Sequence, residues 1–402
     1  MPSSLGIAVI GAGMAGKAHA AAYRVAPTLF DPLLPPLRFV SVADVNESVG
    51  AHTAKRFGYE RSDSSWQAIV EADDIDVVSV VVANHLHREI VEALLAAGKH
   101  VLCDKPMAGT LEDARAMAAA AASASSVARL GFTFHRAPGI VAIRNLILDG
   151  TLGPVLHYSG RYWADYASDP QGAMSWRYKG GPGSGALADI GSHVTYIAEY
   201  FAGEIRSVSG GRLSTEITER PLPLGPVIGH EHTPVSDVYE SVENDDYAAF
   251  SVAFERGVGS IEASRVAGGH PNTMIVEVFC ENGSAVFDQR NPSEIGLYLP
   301  SADNTNNGFR RVQLGSGHPY IAGGLAMDST GVGFGQNDSF NYQARAFLDE
   351  VAGLDEASSL PRNASFDDGV HNMEILAAAT ESALGGGRTV DVHRVGASGL
   401  AG

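Results

Sequence analysis

Hydrophobic and polar positions alternate on two scales along this chain. In the first 130 residues, short runs that are apolar on both faces (5–10, 37–43 and 77–82) are separated by stretches with apolar residues at helical spacing (15–25, 48–57 and 87–97). The short runs, rich in Val and Ile, suit strands buried on two sides, and the longer stretches suit helices that cover them. Gly98 ends the third helix in the usual C-terminal position. Val101-Leu102 opens a further strand, and residues 111–122 form a further helix. Alternation at this spacing predicts a doubly wound parallel sheet. The proline-rich insertion 27–36 fits neither helix nor central strand, because proline lacks an amide donor. It is expected as an ordered surface loop.

After about residue 132 the texture changes. A helix (140–148) and a strand (155–165) precede a glycine-rich loop (179–185) and a helix (187–201). Strand-like runs follow at 205–213, 245–254, 257–265, 272–280, 284–288 and 295–299, with turns such as Glu281-Asn282-Gly283 between them. Such turns predict antiparallel hairpins. The Pro/Gly stretches 220–236 and 315–336 are expected as long loops, and helices near 338–353 and 366–384 close the pattern. The fold class is therefore α/β: an N-terminal Rossmann domain over 1–131, then an α+β domain over 132–402 with a broad, largely antiparallel sheet. The second domain is expected to bind substrate and to carry self-association.

Composition narrows the function. A chain of 402 residues can bury two cores. Its formal charge of −18 repels phosphate backbones and anionic membranes, which argues against nucleic acid and membrane partners. The two cysteines, Cys103 and Cys280, lie in apolar stretches and imply no disulfide framework. No basic leader and no run of about 20 apolar residues is evident, so a cytoplasmic protein is expected.

Five motifs carry chemistry. Gly11-Ala12-Gly13-Met14-Ala15-Gly16 follows a strand and opens a helix. The first glycine permits the tight turn, the second lets a pyrophosphate approach the backbone, and the third allows close helix packing. The phosphates then face the helix N-terminus, where Met14 and Ala15 offer amides. Asp44, at the end of the second strand, suits a ribose diol and repels a 2′-phosphate, which favours NAD over NADP. Asn84 and His87 follow the central strand, on the edge that faces ligand in such sheets. Their setting lacks the cysteine or acid cluster of a metal site, so no metal is expected. Asp104-Lys105-Pro106 follows the next strand, and a lysine there can stabilise a developing alkoxide. In the last motif, the loop 180–185 leads into a helix bearing Asp189 and His193, four residues apart and so on one face. A histidine can take a hydroxyl proton near neutral pH, while a carboxylate binds substrate or orients the imidazole. His230-Glu231-His232, in a Pro/Gly stretch, is expected as a solvated or intersubunit loop.

In this order the motifs resemble the glucose–fructose oxidoreductase / inositol dehydrogenase / rhizopine-catabolism (Gfo/Idh/MocA) family over nearly the whole chain. The resemblance implies NAD-dependent oxidation of a secondary hydroxyl of a sugar or polyol, by an enzyme that forms a homo-oligomer, a dimer or tetramer. Carried over by position, Lys105 bonds the reacting hydroxyl, His193 accepts its proton and Asp189 binds substrate, while Asp104 and Lys105 also border the cofactor. Tyr162-Trp-Ala-Asp165, Ser175-Trp176-Arg177-Tyr178, His318-Pro-Tyr320 and Gly331-Val-Gly-Phe-Gly335 resemble most the members that oxidise an anhydrosugar. Further substrate candidates are Phe134, His135, Arg136, Tyr162, Asp165, Trp176 and Arg177. Asp104 stands where the family often has Glu, and Tyr196 where it often has Asp, which leaves the sugar open. The alternatives are an inositol or aldose dehydrogenase, an NADP-dependent reductase that Asp44 disfavours, and a non-catalytic NAD-binding sensor.

Overall fold

A computed structural model describes residues 4–31, 34–227, 229, 232–301 and 307–392. The chain forms two compact units. One comprises Met1–Ala137 with Gly315–Val370, the other Pro138–Leu314 with His371–Gly402.

The first unit is built on six parallel strands: β1 (Leu5–Ile10), β2 (Leu37–Ala43), β3 (Arg61–Asp63), β4 (Val77–Val80), β5 (His100–Asp104) and β6 (Ala128–Gly131). Their order is β3-β2-β1-β4-β5-β6, so the winding reverses between β1 and β4. All residues of β1 and β4 are buried, which explains why their runs are apolar but for Ser79. The helices α1 (Met14–Val25), α2 (Glu47–Phe57), α3 (Trp66–Glu71), α4 (His87–Ala96) and α5 (Leu111–Ser123) connect them. Asn46, Ser65 and Thr110 cap α2, α3 and α5 through side-chain acceptors.

The second unit opens with α6 (Pro138–Leu148), β7 (Val155–Trp163) and, after the glycine-rich loop, α7 (Ser192–Ala202). The strands β8 (Ile205–Ser214), β9 (Glu219–Pro223), β10 (Val235–Ser241), β11 (Tyr247–Phe254), β12 (Val258–Ser264), β13 (Thr273–Cys280), β14 (Ser284–Asp288), β15 (Glu294–Tyr298) and β16 (Arg310–Gln313) follow. With β17 (Val390–Asp391), the main sheet runs β16-β15-β14-β13-β7-β12-β11-β8-β17. Every pairing in it is antiparallel except β7 with β12. The expected loop 220–236 is in part a separate two-stranded arm, β9 with β10, despite its prolines. Pro221 and Pro223 are tolerated because this arm is two strands wide and each has an unpaired side. His230 and Glu231 lie outside the described residues.

Residues 315–370 belong to the first unit, although the sequence pattern groups them with the second. They carry α8 (Gln336–Val351), whose Ala344, Phe347 and Leu348 join Ala20, Ala22 and Tyr23 of α1 in one apolar cluster. Thr133 donates to Gln343 at 3.0 Å, the amide of Leu130 donates to the Ala364 carbonyl at 2.9 Å, and Arg129 pairs with Glu350. The final helix, α9 (Phe366–Leu384), continues into the second unit from His371.

Candidate active site

The first unit presents its motif residues at the carboxyl ends of β1, β2, β4 and β5. In a doubly wound sheet, ligands bind at this edge, outside the switch point. Gly11 (φ +98°) makes a turn so tight that a Cβ would stand 2.0 Å from the Val81 carbonyl oxygen. At Gly16 a Cβ would lie 1.9 Å from the Gly11 carbonyl oxygen. Both glycines are demanded by the fold itself. Gly13 differs: a Cβ there would meet nothing within 4 Å. Its smallness serves nothing in the chain and fits a ligand that approaches the backbone. Met14, first in α1, is 66 % exposed, and Ala15 follows it. The Asp44 carboxylate accepts amide hydrogens from Ala12 and Asn46, each at 2.8 Å, which ties the glycine turn to the end of β2. These residues could hold a dinucleotide.

Asn84 begins a short 3-10 turn after β4, half-buried beside the same edge. His87 departs from expectation. It is fully buried, with Nδ1 3.1 Å from the Met107 carbonyl and Nε2 3.1 Å from the Val82 carbonyl. Burial holds its imidazole below the ordinary range. His87 therefore lies enclosed between the loop after β5 and that after β4, and its neutral ring donates to one of the two carbonyls. Asp104 ends β5, and Lys105 follows it half-buried, joined to Pro106 by a cis peptide bond.

His135 and Arg136, expected as substrate contacts, also serve the fold. Arg136 is fully buried and donates to Asn363, to the Tyr320 hydroxyl and to the Pro361 carbonyl. These partners secure the segment 315–370. His135 is buried with Nδ1 2.5 Å from the Phe132 carbonyl, and burial followed by the Arg136 charge holds its imidazole well below the ordinary range. Phe134 is buried beside them.

In the second unit, residues Leu187–Gly191 form a π-turn, and α7 continues from it. A single α-helix was the expectation. The wider turn still keeps Asp189 and His193 close in angle, and such turns recur at functional sites. Tyr166, after β7, donates to Asp189 Oδ2 at 2.6 Å. Desolvation and the nearby Asp189 charge push the Tyr166 phenol well above its ordinary range, so it stays protonated and donates. The Tyr162 ring lies 6.0 Å from that of buried His193, and its hydroxyl donates to Asn272 at 2.6 Å. Tyr196 is also buried on α7. Asp165 is half-buried beyond β7. Trp176 is 42 % exposed, with the Arg177 guanidinium 4.4 Å from its ring centroid. An exposed indole with an adjoining guanidinium suits a sugar's C–H face and hydroxyls. Among the described residues, no three His, Cys, Asp or Glu side chains form a metal-ligating group.

A family model for the oxidoreductase family, NAD-binding Rossmann fold, matches residues 5–132, and the GFO/IDH/MocA C-terminal domain matches residues 140–286. The chain belongs to the Gfo/Idh/MocA oxidoreductases. Its first unit thus contains the family's NAD-binding domain. A levoglucosan dehydrogenase of Pseudarthrobacter phenanthrenivorans is 37 % identical over 94 % of this chain and 96 % of its own length. Among solved structures, levoglucosan dehydrogenase in complex with NADH and L-sorbose is 34 % identical with a TM-score of 0.87, covering 98 % of this chain and 100 % of that one. The complex of levoglucosan dehydrogenase with NADH and levoglucosan is 35 % identical with a TM-score of 0.85, covering 97 % and 99 %.

For this Gfo/Idh/MocA member, sequence reasoning missed Tyr166 and the run Asn244-Asp245-Asp246. Three consecutive polar residues opening an alternating strand were a usable signal. All three are buried, which their residue types alone would not suggest.

Proposed function

We propose that this oxidoreductase oxidises one secondary ring hydroxyl of an anhydrosugar of the levoglucosan type to a keto sugar, with NAD as cofactor. The observation that carries the substrate class is the likeness to levoglucosan dehydrogenase across nearly all of both chains. When bound, NAD supplies the electron sink, so the chain's own residues need only bind, orient and move a proton. Gly13, Met14 and Ala15 would hold the pyrophosphate, Asp44 the ribose, and Asn84, Asp104 and Lys105 the border of the nicotinamide side.

His193 takes the hydroxyl proton, and Lys105 hydrogen-bonds the same oxygen as its negative charge develops. Asp189, held by Tyr166, accepts a hydrogen bond from a neighbouring sugar hydroxyl. Tyr162, Trp176, Arg177 and Asp165 complete the sugar contacts. The functional division follows 1–131 for cofactor and 132–402 for substrate and self-association. A cytoplasmic homo-oligomer, dimer or tetramer, fits the broad sheet of the second unit, where Leu156 of β7 and Val258 of β12 are exposed.

The test is nicotinamide absorbance across levoglucosan, glucose, xylose and inositols, with NAD and NADP in parallel. Turnover of levoglucosan with NAD is expected. Turnover confined to inositols or open aldoses would replace the substrate class. Saturable NAD binding without any turnover would favour a sensor. Lys105→Ala should lower kcat about 1,000-fold while NAD affinity stays nearly unchanged. Unchanged turnover would remove the role assigned to Lys105.

A further inference from the structure

The loop 180–185 reads in the sequence as a flexible strap, but its amides at Gly183 and Gly185 are held by one buried residue. Asp245, two residues before β11, is 2 % exposed. Its Oδ1 accepts hydrogen bonds from the amides of Gly183 (2.8 Å) and Gly185 (3.0 Å), and Oδ2 accepts one from Leu187 (2.8 Å). Its own carbonyl accepts one from Ala186 at 2.8 Å. Four amides at the entry of the π-turn thus converge on Asp245. The opening turn of a helix leaves such donors unsatisfied and carries partial positive charge. A carboxylate from another strand here fills the place of a local cap.

The same residue explains a glycine. A Cβ on Gly185 would stand 2.0 Å from the Asp245 carbonyl oxygen, so the strap can reach Asp245 only with glycine there. Asn244 secures the earlier part of the strap. Its Nδ2 donates to the carbonyls of Arg177 (2.9 Å) and Lys179 (3.0 Å), and Arg265 donates to its Oδ1 at 2.7 Å. Downstream, the Asp189 amide bonds back to the Gly185 carbonyl at 2.9 Å. The register of Asp189 therefore follows directly from the seat of Gly185.

We infer that Asp245 is a positioning residue for the reaction: its carboxylate sets the register of the strap, and through it the placement of Asp189 and His193. This rests on the roles proposed for those two residues. Asp245 is buried, and its carboxylate is taken up by the strap amides. It acts through the turn that carries both groups, where a displacement of about 1 Å can cost ~100-fold in rate.

The test compares Asp245→Asn with the unaltered protein. Asparagine keeps the shape but turns one acceptor oxygen into a donor that faces an amide. The expected result is a fall in kcat of about tenfold to 100-fold and a raised KM for the sugar, with NADH affinity by fluorescence titration nearly unchanged. Hydrogen exchange should quicken at residues 183–191 and stay as it was elsewhere. A lower Tm with unchanged kcat and KM would overturn the proposal, since it is what mere structural support gives. Exchange of the unaltered protein is a second measure that does not depend on the variant folding: the amides of Gly183, Gly185, Ala186 and Leu187 should be protected. Exchange at open-loop rates there would also overturn it. Full turnover in Asp189→Asn and His193→Ala would overturn the underlying roles, and is distinguishable because strap protection would persist.

Discussion

Two glycine-rich turns feed two helices in this molecule, and they use glycine for opposite ends. The turn at the start of α1 has Gly11 pressed against the Val81 carbonyl and Gly16 against the Gly11 carbonyl, and between them Gly13, with nothing near its missing side chain. The strap before α7 has Gly185 against the Asp245 backbone and Gly183 (φ +87°) against the Thr380 side chain, where a Cβ would lie 2.1 Å from Oγ1. The first turn keeps room for something the chain does not supply. The second is filled from within the protein at Gly183 and Gly185. A glycine-rich loop is therefore no single signal: the same composition marks a ligand cradle in one place and a rigid seat in the other.

The largest test of this contrast is Gly185→Ala. A Cβ against a carbonyl oxygen should destabilise the second unit by about 3 kcal/mol or more, read as a lowered denaturation midpoint and lost turnover. A stable, active variant would show the strap to be loose after all. Gly13→Ala should do the reverse. With φ at −66°, alanine fits the backbone, so the unfolding midpoint should hold while NAD affinity falls about tenfold. Unimpaired NAD binding would break the comparison at its other end. A smaller effect is expected from Tyr166→Phe, which removes one hydrogen bond to Asp189 and should raise the sugar KM severalfold, equivalent to about 1 kcal/mol. An unchanged KM would separate Asp189 from the substrate.

The smallest effect is one of pH. Burial holds His19, His87 and His135 of the first unit below the ordinary imidazole value of 6.5. The unfolded chain then binds more protons than the native one just below pH 6.5, so stability rises with pH there. The contribution of these histidines is complete above pH 6.5 and is lost as the pH falls below it. Urea midpoints measured from pH 7.5 down to 5 should decline, and less so in His87→Gln. A flat profile would show that these imidazoles do not differ between the two states.

The parallel strands were legible because burial on both faces leaves β1 and β4 apolar but for Ser79, and the carboxyl ends of the strands point to Asp44, Asn84 and Lys105. The edge strands β3 and β6 were not, being short and, in Arg61-Ser-Asp63, polar. Asp189 and His193 stood out by spacing, but the π-turn beneath them did not, since it depends on Asp245, more than fifty positions further along the chain. For His87, His135 and Arg136 the sequence could not show burial or partners: a polar side chain near a ligand edge looks exposed until its surroundings are known, and theirs include main-chain carbonyls, Asn363 and the Tyr320 hydroxyl. The place of residues 315–370 was hidden similarly, because α8 has an apolar stripe that would suit either unit.

That return of the chain has a consequence for biosynthesis. A ribosome has long released Ala137 before it makes Val370, and at about 5–20 residues per second the lag is roughly ten seconds or more. Throughout it, Ala20, Ala22 and Tyr23 of the nascent chain lack the cover that Phe347 and Leu348 provide. The second unit must likewise wait for residues beyond His371. Translation stopped at Leu314 would leave neither unit whole, so the last ninety or so residues are needed by both cores.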